Sequence, residues 1–144
     1  YLLSGLKYKG LKIFGEDNSC WGTKYAQICA SAKIVVGDNA VNTIPGYWSD
    51  RLYISMGSGA FLMYPRVPGI EGQFRDEEHL VLYDNEKDLH DKIGYYLNHW
   101  KLRKEIAEAG CKHAHKYHTI PHRVQAIEEI LRSELSPIQI KHLE

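Results

Sequence analysis

Four short, mostly apolar runs, each closed by a glycine, a proline or a polar pair, alternate along the chain with stretches of helical character. Leu11–Phe14 (LKIF) lies between Gly10 and Gly15, and Ile34–Val36 precedes Gly37 and Asp38. Ala60–Tyr64 (AFLMY) stops at Pro65, and Leu80–Tyr83 (LVLY) stops at Asp84 and Asn85. Short apolar runs bounded by turn residues are the pattern of strands covered on both faces. Between them, Thr23–Ala32 places Tyr25, Ile28 and Cys29 on one helical face, and Ser49–Gly57 reads as a helix ended by Gly57-Ser58-Gly59. Strands alternating with helices predict an α/β domain built on a parallel, doubly wound sheet with helices on both faces.

The last third reads as helical throughout. Asn85 serves as N-cap with the acid Asp88 three residues on, and Leu89, Ile93, Leu97 and Trp100 repeat at helical spacing. A second helix is expected over Leu102–Tyr117. A third starts at Thr119, with Pro121 in its first turn and Val124, Ile127, Ile130 and Leu131 facing inward. The periodicity is lost at Pro137, so the expected domain spans 1–135 and a tail follows over 136–144. At the other end, Tyr1–Lys9 reads as the end of a helix entering the Leu11 strand. A doubly wound domain would place another βα unit before it, so the domain is expected to be truncated at its N-terminus.

Charge narrows the partners. Lys plus Arg and Asp plus Glu number 18 each, so no summed field draws the chain to a nucleic-acid backbone or an anionic membrane. Cys20, Cys29 and Cys111 are odd in number and widely spaced, which argues against a disulfide framework and a zinc site and fits a reducing, cytoplasmic setting. No apolar run approaches the roughly 18–20 residues of a membrane span.

The stretch from Ser49 to Pro68, followed by Gly69, Ile70 and Glu71, is the most informative chemically. A helix opened by Ser49 or Asp50 aims its unpaired N–H groups at the carboxyl-end face of the sheet, with Arg51 in its first turn, an arrangement suited to a diphosphate. Gly57 and Gly59 fit the abrupt turn into the next strand equally well. Arg51 reads either as a ligand contact or as half of a structural ion pair.

SDRLYISMGSGAFLM, YPRVPGIEGQF, LVLYDNEKDLHDKIGYYL and IAEAG with YHTIPHRV, in this order and spacing, resemble CgeB-like, group 1 glycosyl transferase domains from Gly10 to Leu131. The resemblance implies a Rossmann-like fold, the C-terminal half of a two-domain GT-B glycosyltransferase. Such a domain binds the nucleotide diphosphate of an activated sugar in a cleft facing a separate N-terminal domain. It implies donor contacts from Ser49, Arg51 and Tyr53 in the helix and from Pro65, Gly69 and Glu71 in the loop after the next strand. It also matches Gly57 and Gly59, and His118, Thr119, His122 and Arg123, to structural motifs of the family. The nucleotide sugar enters as a substrate, and no permanent cofactor is implied. Two positions depart from many such enzymes: Ile54 stands where a glutamate grips the donor ribose, and Gly46 stands near the place of a second acid.

His113, His115, His118 and His122 lie close in sequence, but no carboxylate or thiolate sits at ligand spacing, so packing and capping are the simpler roles. Tyr95, Tyr96 and Trp100 fall on an amphipathic helix and read as core or rim before they read as a sugar platform. The function expected from sequence is donor binding in sugar transfer, with a chain inactive alone. The alternative is a non-catalytic Rossmann-like module for binding or assembly.

Overall fold

The computed structural model describes residues 8, 10–12 and 20–134. Three parallel strands, β1 (Val35–Val36), β2 (Leu62–Pro65) and β3 (Val81–Tyr83), lie side by side in that order. Val35 pairs with Leu62 and Val36 with Met63, while Met63, Tyr64 and Pro65 pair with Val81, Leu82 and Tyr83. Helices α1 (Gly22–Ser31), α2 (Arg51–Gly57), α3 (Glu86–Asn98), α4 (Trp100–Tyr117) and α5 (Ile120–Glu134) surround them. The crossover from β2 to β3 carries only a 3-10 turn at Ile70–Gly72.

Every residue of β2 is buried, and alternation along it divides the core in two. Phe61 and Met63 join Val81, Tyr83, Leu89 and Ile93 on the face covered by α3. Leu62 and Tyr64 join Leu52, Met56, Leu80 and Leu82 on the face covered by α2. Each fully buried aliphatic side chain contributes roughly 1.5–3 kcal/mol. Helix α4 serves both sides, giving Ile106 to the first cluster and Ala114 to the second. Between those two residues comes Gly110, where an added Cβ would stand 2.1 Å from the His79 carbonyl oxygen. The helix rests directly on the backbone that enters β3.

Local signals place the helix ends. The Asn85 side chain accepts from the Asp88 N–H at 3.0 Å, so the N-cap read from sequence is present. The Asp88 carboxylate reaches back to the Asp84 N–H at 3.0 Å and pairs with Lys92 at 2.8 Å. Helix α1 buries Cys29 against Ser55 of α2, and the Tyr25 hydroxyl meets the Ser55 hydroxyl at 2.8 Å.

Several expectations are corrected. Of the Leu11–Phe14 run, Leu11 and Lys12 lie in irregular backbone while Ile13 and Phe14 fall outside the described residues, as does the 136–144 tail. The middle strand begins two residues after Ala60 and includes Pro65 as its last residue. Proline is tolerated there because the next N–H, that of Arg66, continues the ladder to Tyr83 O at 2.9 Å. Leu97 and Trp100 are 41% and 60% exposed, and Tyr96 takes the buried place. The helical stripe is broken at His99, where α3 stops and α4 starts. Arg103 seals that junction by donating to the carbonyls of Tyr96 and Leu97.

The larger correction concerns α5. Val124, Ile127, Ile130 and Leu131 have the expected spacing but are 44–61% exposed instead of facing inward. Periodicity marks an apolar face without supplying a surface to cover it, and every residue of 120–133 is exposed among the described residues.

Gly110→Ala is expected to lower stability by about 1–3 kcal/mol, because the methyl group meets backbone that cannot turn aside. Gly57→Ala, whose new Cβ would lie 3.9 Å from the nearest atom, is expected to leave stability unchanged or slightly raised. Urea midpoints of the two variants test the contrast.

Candidate functional site

At the carboxyl ends of the strands, two phenols hold the loop that follows β1. The Tyr64 ring lies over Gly37, where an added Cβ would stand 2.5 Å from the ring. Its hydroxyl donates to Asn39 Oδ1 and accepts from the Ser49 N–H at 3.2 Å. Asn39 Oδ1 also faces that N–H at 3.3 Å, and its amide donates to Asn42 at 2.9 Å. The Tyr83 hydroxyl donates to Gly37 O at 2.8 Å. Burial raises the pKa of both phenols, so both keep their protons.

This framework shapes a cavity of about 240 Å³ lined by Asn39, Tyr47, Trp48, Ser49, Asp50 and Arg51. Helix α2 begins at Arg51, and Asp50 makes no side-chain cap. Ser49 does that work: its hydroxyl oxygen accepts from Arg51 N at 3.3 Å and Arg51 Nε at 3.2 Å, and donates to Asp50 at 3.1 Å. Among the described residues Arg51 has no ion-pair partner. Of the two roles open to it in the sequence, the internal salt bridge is not the one formed there.

The other donor-contact candidates are dispersed. Tyr53 turns away from this cavity, accepting from Trp48 Nε1 at 2.7 Å and donating to Gln73 Oε1 at 3.0 Å. Pro65 ends β2, and Gly69 adopts φ +91° in a loop pinned by the Gly46 N–H donating to Pro68 O at 3.0 Å. Glu71 is bound to Arg66. That arginine also pairs with Asp76 at 2.7 Å and Asp84 at 2.8 Å. Burial opposes its charge, but the hydrogen bonds to Asp76, Glu71 and Asp84 outweigh burial and raise its pKa. Arg66 is thereby committed to the loop's own structure. Ile54 is 44% exposed on α2, and Gly46 has φ +73°. Of the turn glycines, Gly59 sits at φ +80°, a conformation favouring glycine, while Gly57 has no positive φ.

His118, Thr119, His122 and Arg123 come together where α4 passes into α5. His122 Nδ1 accepts from the Thr119 hydroxyl at 2.7 Å and from its N–H at 3.3 Å, closing the first turn of α5. Arg123 lies over the Tyr53 ring, 5.0 Å from its centroid, and donates to His118 Nδ1 at 3.0 Å. His118 Nε2 faces His113 Nε2 at 3.2 Å, and its ring packs 5.0 Å from Phe74. Among the described residues no group of three or more His, Cys, Asp or Glu side chains is placed to hold a metal ion.

Sequence reasoning overlooked Asn39 and Tyr64 as organisers of the loop, and Arg66 as the centre of a carboxylate cluster. The Asp38-Asn39 pair directly after a strand was the available signal for the first. Partners of Arg66 spread from Glu71 to Asp84 leave no periodic trace.

The family model described as glycosyl transferase-like matches residues 2–129, and the chain belongs to that family. Among curated proteins none matches. No helix among the described residues is long and apolar enough to cross a membrane.

Burial, aided by Arg123 and the neighbouring imidazoles, pushes His118 down from 6.5 to about 4. The unfolded chain therefore takes up this proton near pH 6.5 while the folded chain resists until about pH 4. Stability is full above the upper value and falls as pH drops through that window. Burial lowers His79 too, with the same sign. Melting temperatures at pH 7 and pH 5 are expected to converge in His118→Gln relative to the parent chain; an unchanged difference would assign the loss to other groups.

Proposed function

We propose that this glycosyl transferase-like domain binds the diphosphate of a nucleotide-activated sugar in the cavity at the carboxyl ends of β1 and β2. The observation that carries the reading is Arg51, a cation lining that cavity with no internal carboxylate partner among the described residues. Parallel α/β sheets bind ligands at this end. An unpaired guanidinium there matches the charge and the two-pronged geometry of phosphate oxygens. During transfer, charge builds on the departing diphosphate. Arg51, oriented by Ser49, would stabilise that charge without reorganising.

The finer assignment follows the motifs. The domain serves as the donor-binding, C-terminal half of a CgeB-like GT-B enzyme, and the acceptor side of the cleft and any general base come from a second domain. Cys20, Cys29 and Cys111 are all free thiols, which supports a cytoplasmic setting. A second reading, a module that has lost donor binding, is favoured by one observation: the exposed side chain of Ile54 offers no acceptor to a ribose hydroxyl.

Calorimetry with UDP, GDP and ADP separates the two readings, since a module should show no nucleotide binding. For the donor-binding domain, Arg51→Ala is expected to weaken binding of the preferred nucleotide by about 1.5–3 kcal/mol, roughly a tenfold to hundredfold loss. The melting temperature should stay within about a degree of the parent, because no ion pair is lost. Unchanged affinity in the variant would remove Arg51 from the phosphate site.

A further inference from the structure

Helix α5 is attached through its first turn, and the attaching contacts end on imidazole nitrogens that accept a hydrogen bond only while they carry no proton. Every residue of 120–133 is exposed among the described residues, so burial does little to hold the helix. Arg123 ties it to the rest of the domain. Its guanidinium donates to His118 Nδ1 at 3.0 Å and lies 5.0 Å from the centroid of the Tyr53 ring on α2. His122 Nδ1 accepts from the Thr119 hydroxyl and N–H in the same way.

A guanidinium only donates, so the bond from Arg123 needs His118 Nδ1 without a proton. The one proton of the neutral ring then sits on Nε2, which faces His113 Nε2 at 3.2 Å. A second proton on His118 has to go to Nδ1. It turns the acceptor into a donor and sets a cation directly against Arg123. The surroundings do not compensate that charge. His118 is faced by the Tyr53 ring of α2 at 5.2 Å, by Phe74 of the β2–β3 crossover at 5.0 Å and by His113 of α4 at 5.1 Å. His79 stacks behind His113 at 4.0 Å, and α5 adds Arg123 and His122. Lys116 of α4 stands over the Tyr117 ring at 4.8 Å. The Glu78 carboxylate is turned to Arg75 and His79, at 3.2 and 3.4 Å. Among the described residues no carboxylate pairs with His118.

We propose that the junction of α4 and α5 is a proton-operated latch: neutral His118 holds α5 through Arg123, and protonated His118 releases it while the sheet and the other helices stay folded. A released α5 is a helix of 15 residues without support, too short to persist in water. Release also uncovers Tyr53, whose hydroxyl accepts at 2.7 Å from Nε1 of Trp48 in the wall of the Arg51 cavity. Burial, aided by Arg123 and the neighbouring imidazoles, holds attached His118 down at about 4, and release returns the ring toward 6.5. Attachment is therefore full above the upper value and weakens as pH falls toward the lower one, by roughly twentyfold between pH 7 and pH 5. Nothing in this latch depends on what the Arg51 cavity binds.

Amide hydrogen exchange on the full 144-residue chain tests it, with each rate divided by the free-peptide rate at the same pH. Between pH 7 and pH 5 the protection of residues 124–131 is expected to fall roughly twentyfold, while α3 and α4 keep theirs. His118→Asn places an acceptor that does not titrate where Nδ1 stood, and α5 protection there is expected to change less than about twofold over the same interval. Arg123→Ala removes an exposed side chain and is expected to leave α5 unprotected already at pH 7, with α3 and α4 as in the parent. Unchanged α5 protection in the parent at pH 5 overturns the proposal. So does a loss shared equally by α3 and α4, a full loss persisting in His118→Asn, or parent-like α5 protection in Arg123→Ala at pH 7.

Discussion

The arrangement of the domain depends on a contact that contains no side chain. Gly110 lets α4 lie directly on the carbonyl of His79, and every other residue would meet backbone oxygen there. Because the helix comes this close just before β3, Ile106 reaches the core on one side of the sheet and Ala114 reaches the core on the other. The three strands among the described residues, with a fully buried middle strand, need cover on both faces. One long helix running past the β3 edge supplies part of both. The same approach brings His113 and Tyr117 beside Gln73, Phe74 and Arg75 of the β2–β3 crossover.

Two arginines near the carboxyl ends of the strands have opposite surroundings. Arg66 follows β2 and is enclosed by Glu71, Asp76 and Asp84, while Asp76 also accepts from Leu82 N at 2.8 Å. Those bonds tie the crossover to β3 and take the place of an α-helix in that connection. Arg51 hydrogen-bonds, among the described residues, to the hydroxyl of Ser49 alone. A cation whose field is cancelled locally organises backbone, and the donor contact proposed for Arg51 rests on the absence of such cancellation among the described residues.

At the far end, α5 is held through its first turn. Thr119 and His122 close that turn, and Arg123 reaches Tyr53 and His118. A helix of 15 residues has little stability of its own in water. Its ordering therefore leans on this small polar and aromatic junction, together with i,i+4 pairs such as Glu128–Arg132.

The sequence by itself determined what neighbours along the chain decide. Three of the four strand runs, the helix periods, the Asn85 cap and the turn at Gly59 are local, and each follows from a few adjacent residues. The family motifs were legible for the same reason, since their order and spacing are linear properties. What only the tertiary structure decided depends on residues far apart in the chain. It placed Ser49 and Arg51 together in one cavity, turned Tyr53 toward Gln73, and bound Glu71 into the Arg66 cluster. It buried Tyr96 in place of Leu97 and left the apolar face of α5 exposed. Periodicity specifies which side of a helix is apolar, but burial needs an opposing surface, and the pairing of charges needs a partner at a distance that no local pattern encodes.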